Sequence, residues 1–191
     1  MKKFKDILDE LFKDIGKLSD TELMKGQALK EGEFVEVNGR VFHKVLSTIR
    51  NNDLTRETPK GLDSLSLYSV NDYKKMSCYL GKNNSSGYAI AHENELVSVF
   101  NTQGASGSAI VKDAIKNGAS RLDCFAKKDK DGNISGFLHT LYSRFGFKID
   151  TSLNSGEEGE AYSIRKGISL FVNDKGEVEP ENENIVIFMK I

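Results

Sequence analysis

Long apolar runs are missing from this chain. The longest lie near "IVIFM", whereas a membrane-spanning helix takes about 20 consecutive apolar residues. A secretory leader is not expected either. "MKKFKDILDELFK" places basic residues first, but Asp6, Asp9 and Glu10 interrupt what would have to be its apolar core. Both features read as a cytosolic (cytoplasmic) protein with no membrane partner. Cysteine is scarce: Cys78 and Cys124 stand far apart with no His or Cys at ligand spacing. Neither a disulfide framework nor a structural zinc site is expected, and no metal cofactor is. Both cysteines read as small buried hydrophobes. Charge of one sign is lacking too. Lys and Arg number 27 against 28 Asp and Glu, a net charge of −1. That balance gives no electrostatic reason to expect DNA, RNA or an anionic membrane surface as the main partner.

What is present is ordinary globular patterning. With 191 residues the chain is long enough for one buried core and an appendage. Phe4, Ile7, Leu8, Leu11, Phe12, Ile15 and Leu18 share a helical face. Ser19 and Glu22 have the spacing of a capping box, flanked by Leu18 and Leu23 as a hydrophobic staple. The pattern predicts one helix ending near Lys17 and a second from Asp20 to about Lys30. In "EFVEVNGRVFHKV" the pair Asn38-Gly39 sits between apolar-alternating runs, which predicts a tight hairpin turn. "IRNNDLTRETPKGLD", Ile49 to Asp63, is polar and holds Pro59 and Gly61; it reads as a linker. Residues 1–61 are thus expected to form a helix-helix-hairpin appendage. Its apolar stripe must be covered, by its own domain or by a homodimer or protein partner.

Residues 62–191 read as an α/β (α+β) domain. "SLSLYSV" alternates like a strand and "NDYKKMSCYL" reads as a helix. "GYAIAHENELVSVFN" reads as a hairpin, and a helix is expected from about Ser106 to Asn117 with Ala109, Ile110, Ala114 and Ile115 inward. "RLDCFA" alternates as a strand with Leu122, Cys124 and Ala126 on one side. Phe137, Leu138, Leu141, Tyr142 and Phe145 form a helical stripe that Gly146 ends, and "NIVIFMKI" is a terminal strand. "LNSGEEGEAYS" and "NDKGEVEPENEN" are expected as loops. The order β-α-β-β-α-β-α-β-β predicts a mixed central sheet flanked by helices.

"TQGASGSAIVKDAIKNG", Thr102 to Gly118, carries the most suggestive chemistry. A strand that turns through small residues into a helix leaves the first backbone N–H groups unpaired, an anion site favoured by the helix dipole. Gly104, Ala105, Ser106, Gly107 and Ser108 have the short side chains that pyrophosphate would need. The same residues also suit close packing of a helix on a sheet, and spacing alone leaves both readings open.

The order of elements together with "LYSRFGF" resembles the GNAT superfamily of acyl-CoA-dependent N-acyltransferases, over roughly Leu65 to Phe147. The family's Leu-Tyr-x-x-x-Gly-Phe signature is matched by Leu141, Tyr142, Gly146 and Phe147. The arrangement is also similar to GNAT-like domains of phage and mobile-element proteins. The resemblance implies acetyl-CoA as co-substrate. It implies pantetheine lying along the strand that ends Val99, Phe100 and Asn101, with pyrophosphate on the turn of Gln103, Gly104, Ala105, Ser106, Gly107 and Ser108. Ser135 stands where the family often has a cofactor-contacting Asn. Thr102 and Ala105, or in the adjacent register Gln103, Ser106 and Ser108, occupy the positions of the family's Arg/Gln and glycines.

Acyl transfer to an amine requires removal of a proton from the amine, stabilisation of an oxyanion and protonation of the departing thiolate. The resemblance assigns the second to a backbone N–H near Val99 or Phe100 and the third to Tyr142, a phenol that keeps its proton at neutral pH. Glu95, His92 and His139 are the candidate bases, each also readable as a surface polar residue. The expected function is acyl-CoA-dependent N-acyltransfer to an amine acceptor, with nucleic acid not expected as a partner. The alternative is a non-catalytic binding or interaction module that keeps the fold without turning over CoA. Thr102, Ala105 and Ser135 favour it; Tyr142 and the small run Ser106–Ala109 favour the enzyme.

Overall fold

The structure, a computed structural model, describes residues 29–54, 65–102, 106–129, 131–151 and 183–191. The two expected N-terminal helices fall outside these residues, except for positions 29 and 30, which are not helical. The two loop segments expected before the last strand fall outside them from residue 153 to residue 182. The fold is mixed α/β, with parallel and antiparallel strand pairs and four α-helices among the described residues. It divides into two compact units, one of residues up to His92 with Val97–Ala114, the other of Glu93–Leu96 with Ile115–Ile191.

In the first unit, β1 (Phe34–Val37), β2 (Ser77–Gly81), β3 (Ser86–Ile90) and most of β4 (Glu95–Asn101) lie in the order β1-β2-β3-β4. β1 and β2 are antiparallel with Val37 opposite Cys78, and β2 and β3 are antiparallel with Cys78 opposite Ala89. Period-two alternation puts Val35, Val37, Cys78, Leu80 and Ala89 on one face. Against them pack α1 (Gly39–Leu54), through Val41, Phe42, Val45 and Leu46, and the one-turn α2 (Val70–Tyr73). Phe42, Leu46, Leu80 and Tyr73 are completely buried; full burial of an apolar side chain contributes about 1.5–3 kcal/mol. The other face carries an aromatic group, with Tyr79 stacked on Tyr88 at 4.9 Å and Phe34 edge-on to Tyr88 at 5.6 Å.

Four local expectations are corrected here. Asn38-Gly39 does not turn a hairpin. Its side-chain Oδ1 accepts from the N–H groups of Arg40 and Val41, both at 3.0 Å, so Asn38 caps α1. The apolar residues after it repeat at three and four, and residues 49–54, read as the start of a linker, complete that helix. Gly39 is needed for contact: a Cβ there would lie 2.3 Å from the carbonyl carbon of Tyr73. Residues 66–69 of "SLSLYSV" form no strand; Ser69 and Asp72 make a capping box around α2. "NDYKKMSCYL" is one helical turn followed by strand β2, because Cys78 and Leu80 bury alternately against the core. The hairpin turn is Asn83-Asn84, both with φ near 55° as a two-residue primed turn demands.

The second unit is built on β5 (Arg121–Lys128), which pairs in parallel with the first residues of β4 and antiparallel with β8 (Glu183–Lys190). β6 (Ile134–Ser135) joins β5, and β7 (Lys148–Ile149) joins β8. Leu122 and Cys124 face the same side as their partners Met189 and Ile187, and all four are buried. α4 (Phe137–Ser143) packs beside β5 through Tyr142, whose ring lies 5.9 Å from that of Phe147. Gly146, at φ 92°, reverses the chain after α4, and the Phe147 N–H returns to the Tyr142 carbonyl. The expected strands over "GYAIAHENELVSVFN", "RLDCFA" and "NIVIFMKI" and both of the later helices stand; the helix expected at Ser106–Asn117 is α3 (Gly107–Lys116).

Candidate functional site

The small-residue segment Thr102–Ser108 follows β4 in the sequence. Gln103, Gly104 and Ala105 lie outside the described residues. Thr102 is engaged at its edge: its backbone N–H and its hydroxyl both donate to the Ser85 carbonyl, at 2.7 and 2.8 Å. These two hydrogen bonds fasten the end of β4 to the β2–β3 turn. Ser106 is exposed, and its Oγ accepts the Ala109 N–H at 3.1 Å, so it caps α3. One of the four free N–H groups of the helix start is therefore satisfied by the chain itself. Gly107 and Ser108 supply the first N–H groups of α3, with Ser108 exposed. α3 is moored by Tyr88, whose hydroxyl donates to the Asp113 carboxylate at 2.6 Å.

Upstream of the turn, β4 is irregular. Ser98 has φ 53°, in the left-handed region, although it lies inside a strand and is 7% exposed. Val97 and Phe100 both belong to the core that holds Phe42, Val45 and Leu46. Residues three apart in a regular strand point to opposite faces, so the chain carries one extra residue here, a bulge. The Phe100 ring is buried 5.9 Å from Phe42, and Asn101 is exposed. Phe100 thus offers only its backbone to a ligand, and Val99 is half-buried.

In the second unit, Glu95 stands opposite Arg121 on the sheet face that also bears Asp123. Burial raises its carboxyl above the usual value, and Asp123 and Glu93 add to the rise while Arg121 opposes it. Arg121 is itself engaged by Glu93 at 2.6 Å. Tyr142 is 5% exposed. Burial, then the nearby Cys124 and Asp123, push its phenol above the ordinary value. Cys124 is pushed up to about 12, by burial and then Asp123, so its thiol stays protonated. Ser135 is exposed in β6, paired across from Lys127. His139 is half-buried on α4, while His92 is exposed in the first unit.

Sequence reasoning missed Ser98, its buried partner Tyr73 and the carbonyl of the exposed Ser66. Its one signal was a small polar residue between inward hydrophobics in "ELVSVFN". Among the described residues no group of three His, Cys, Asp or Glu side chains is placed to hold a metal ion, and no helix is long and apolar enough to cross a membrane. No family model, curated protein or solved structure matches the chain.

Proposed function

We propose that the chain is an acyl-CoA-dependent N-acyltransferase that passes an acetyl group from acetyl-CoA to an amine. The observation that carries this reading is the order of bulged β4, α3 and β5, with β5 pairing in parallel with the start of β4. A bulge frees a backbone N–H of β4, at Val99 or Phe100, for a thioester carbonyl as it gains negative charge. The N–H groups of Gly107 and Ser108 suit a phosphate. Glu95, with its raised carboxyl, is the group best suited to accept the amine proton, directly or through water. Tyr142 holds its proton until a thiolate develops and then donates it. The GNAT resemblance supports the same roles for Tyr142 and for the turn.

A thiol-release assay tests the reading: the full chain is incubated with acetyl-CoA and a set of primary amines. Amine-dependent release of CoA is expected, reduced about 100-fold in Tyr142→Phe. Release at the same rate in Tyr142→Phe would remove Tyr142 as the acid. Release equal to the protein-free rate with every amine would favour a binding module, to which Ser106 capping its own helix already lends some support.

A further inference from the structure

Five non-glycine residues among those described have positive φ. Asn83, Asn84, Glu93 and Asn94 form two-residue turns between strands, where that conformation is required. Ser98 has no such reason. It lies within β4, and a left-handed residue with a side chain costs about 1–2 kcal/mol, so the surroundings must over-determine it.

Two buried hydroxyls and a backbone carbonyl do so. Ser98 Oγ donates to the Ser66 carbonyl at 3.1 Å and lies 2.8 Å from the Tyr73 hydroxyl. The Tyr73 hydroxyl is 3.4 Å from the same Ser66 carbonyl and accepts the Tyr68 N–H at 3.4 Å. Tyr73 is itself immobilised. Its side chain is completely buried among the rings of Phe42, Tyr68 and His43, at 5.1, 5.8 and 6.1 Å. Its backbone is clamped where Gly39 lets α1 approach. A small network of this kind specifies one geometry, because each hydroxyl that loses its partner is left unpaired in the core.

We propose that the Tyr73–Ser98–Ser66 network is a positioning device: it holds the bulge of β4 so that the N–H of Val99 or Phe100 is pre-aimed at the carbonyl oxygen of a bound acyl thioester. Neither Tyr73 nor Ser98 touches the acyl group; both act through the backbone of β4. The inference rests on the acyltransferase reading above and names what sets its oxyanion donor. Preorganisation of this kind spares the cost of turning a peptide group during the reaction.

Calorimetric titration of the full chain with acetyl-CoA and, separately, with free CoA tests it, since only the first carries the carbonyl. Tyr73→Phe removes the hydroxyl and keeps the ring. It should weaken acetyl-CoA binding about five- to tenfold, roughly one hydrogen bond in affinity, and leave free CoA unchanged. Ser98→Gly removes the hydroxyl while permitting the positive φ; it should show the same selective loss to a smaller degree, and it carries the test if Tyr73→Phe does not fold. Equal changes for both ligands, or none, would overturn the positioning role and leave the acyltransferase reading standing. Failure of the unmodified chain to bind either ligand would overturn both.

Discussion

The two compact units hold their cores by different means. In the first, buried polar groups are tied to one another across elements: Tyr73 to Ser98 at 2.8 Å, and Tyr88 to Asp113 at 2.6 Å. In the second, one buried carboxylate, Asp150, is tied to Lys190 at 2.8 Å, but the fit is mainly apolar: β5 and β8 match eight residue pairs, with Leu122 and Cys124 lying opposite Met189 and Ile187 on the buried face. Tyr142 is buried there through its ring, against Phe147 at 5.9 Å, and its hydroxyl has no partner among the described residues. Apolar alternation fixes register, since a slip of one residue would turn every inward side chain out. It does not fix a strained dihedral or the angle of a peptide group. Hydroxyl networks do, and the first unit has them where β4 departs from regular geometry.

Phe42→Ala should give the largest effect. Phe42 is fully buried between Tyr73 and Phe100, and its truncation should cost about 3–5 kcal/mol in urea unfolding. A cost below about 1 kcal/mol would mean that α1 does not complete the first core.

The two tyrosines give the sharper contrast. Tyr88→Phe strips the Asp113 carboxylate of a buried donor and should cost about 1.5–3 kcal/mol. Tyr142→Phe removes a hydroxyl with no partner among the described residues and should change stability by less than about 0.5 kcal/mol. Equal costs, measured by the same denaturation, would erase the distinction between the units.

Smallest is the pH effect at Glu95. Folding raises this carboxyl, so the folded chain binds the proton more tightly than the unfolded one. The resulting penalty is absent well below the ordinary value of 4.5 and complete once the pH exceeds the raised value. Glu95→Gln should therefore melt slightly higher than the unmodified chain at pH 7, and the difference should shrink toward zero as the pH falls below 4.5. A difference that grows on acidification would contradict the raised carboxyl.

Much of the second unit was legible because its signals are local. The alternation of Leu122, Cys124 and Ala126, the stripe leading to Tyr142 and the stop at Gly146 each have one meaning. The first unit was harder to read. Asn38-Gly39 suits a tight turn and a helix cap equally well, and the choice is made by Val41, Phe42, Val45 and Leu46 finding a sheet to cover. "NDYKKMSCYL" opens with a true helix cap at Ser69, but the pairing of Cys78 with Val37 and Ala89 claims its second half for the sheet. Of the candidate site, the start of α3 follows from spacing and order, Tyr142 is singled out by the resemblance of "LYSRFGF", and Glu95 is one of three candidate bases. Ser98 does not, because its conformation is imposed by Tyr73 and Ser66, 25 and 32 residues away in sequence.

The most direct test of the account is titration of the full chain with acetyl-CoA beside Gly107→Glu. Glu at the first turn of α3 suits the helix dipole and should not harm the fold, but its charge opposes a phosphate at the same N–H groups. Saturable binding that is selective over ATP and lost in Gly107→Glu is the predicted result. Undiminished binding in the variant, or no binding by the unmodified chain at millimolar ligand, would contradict the account.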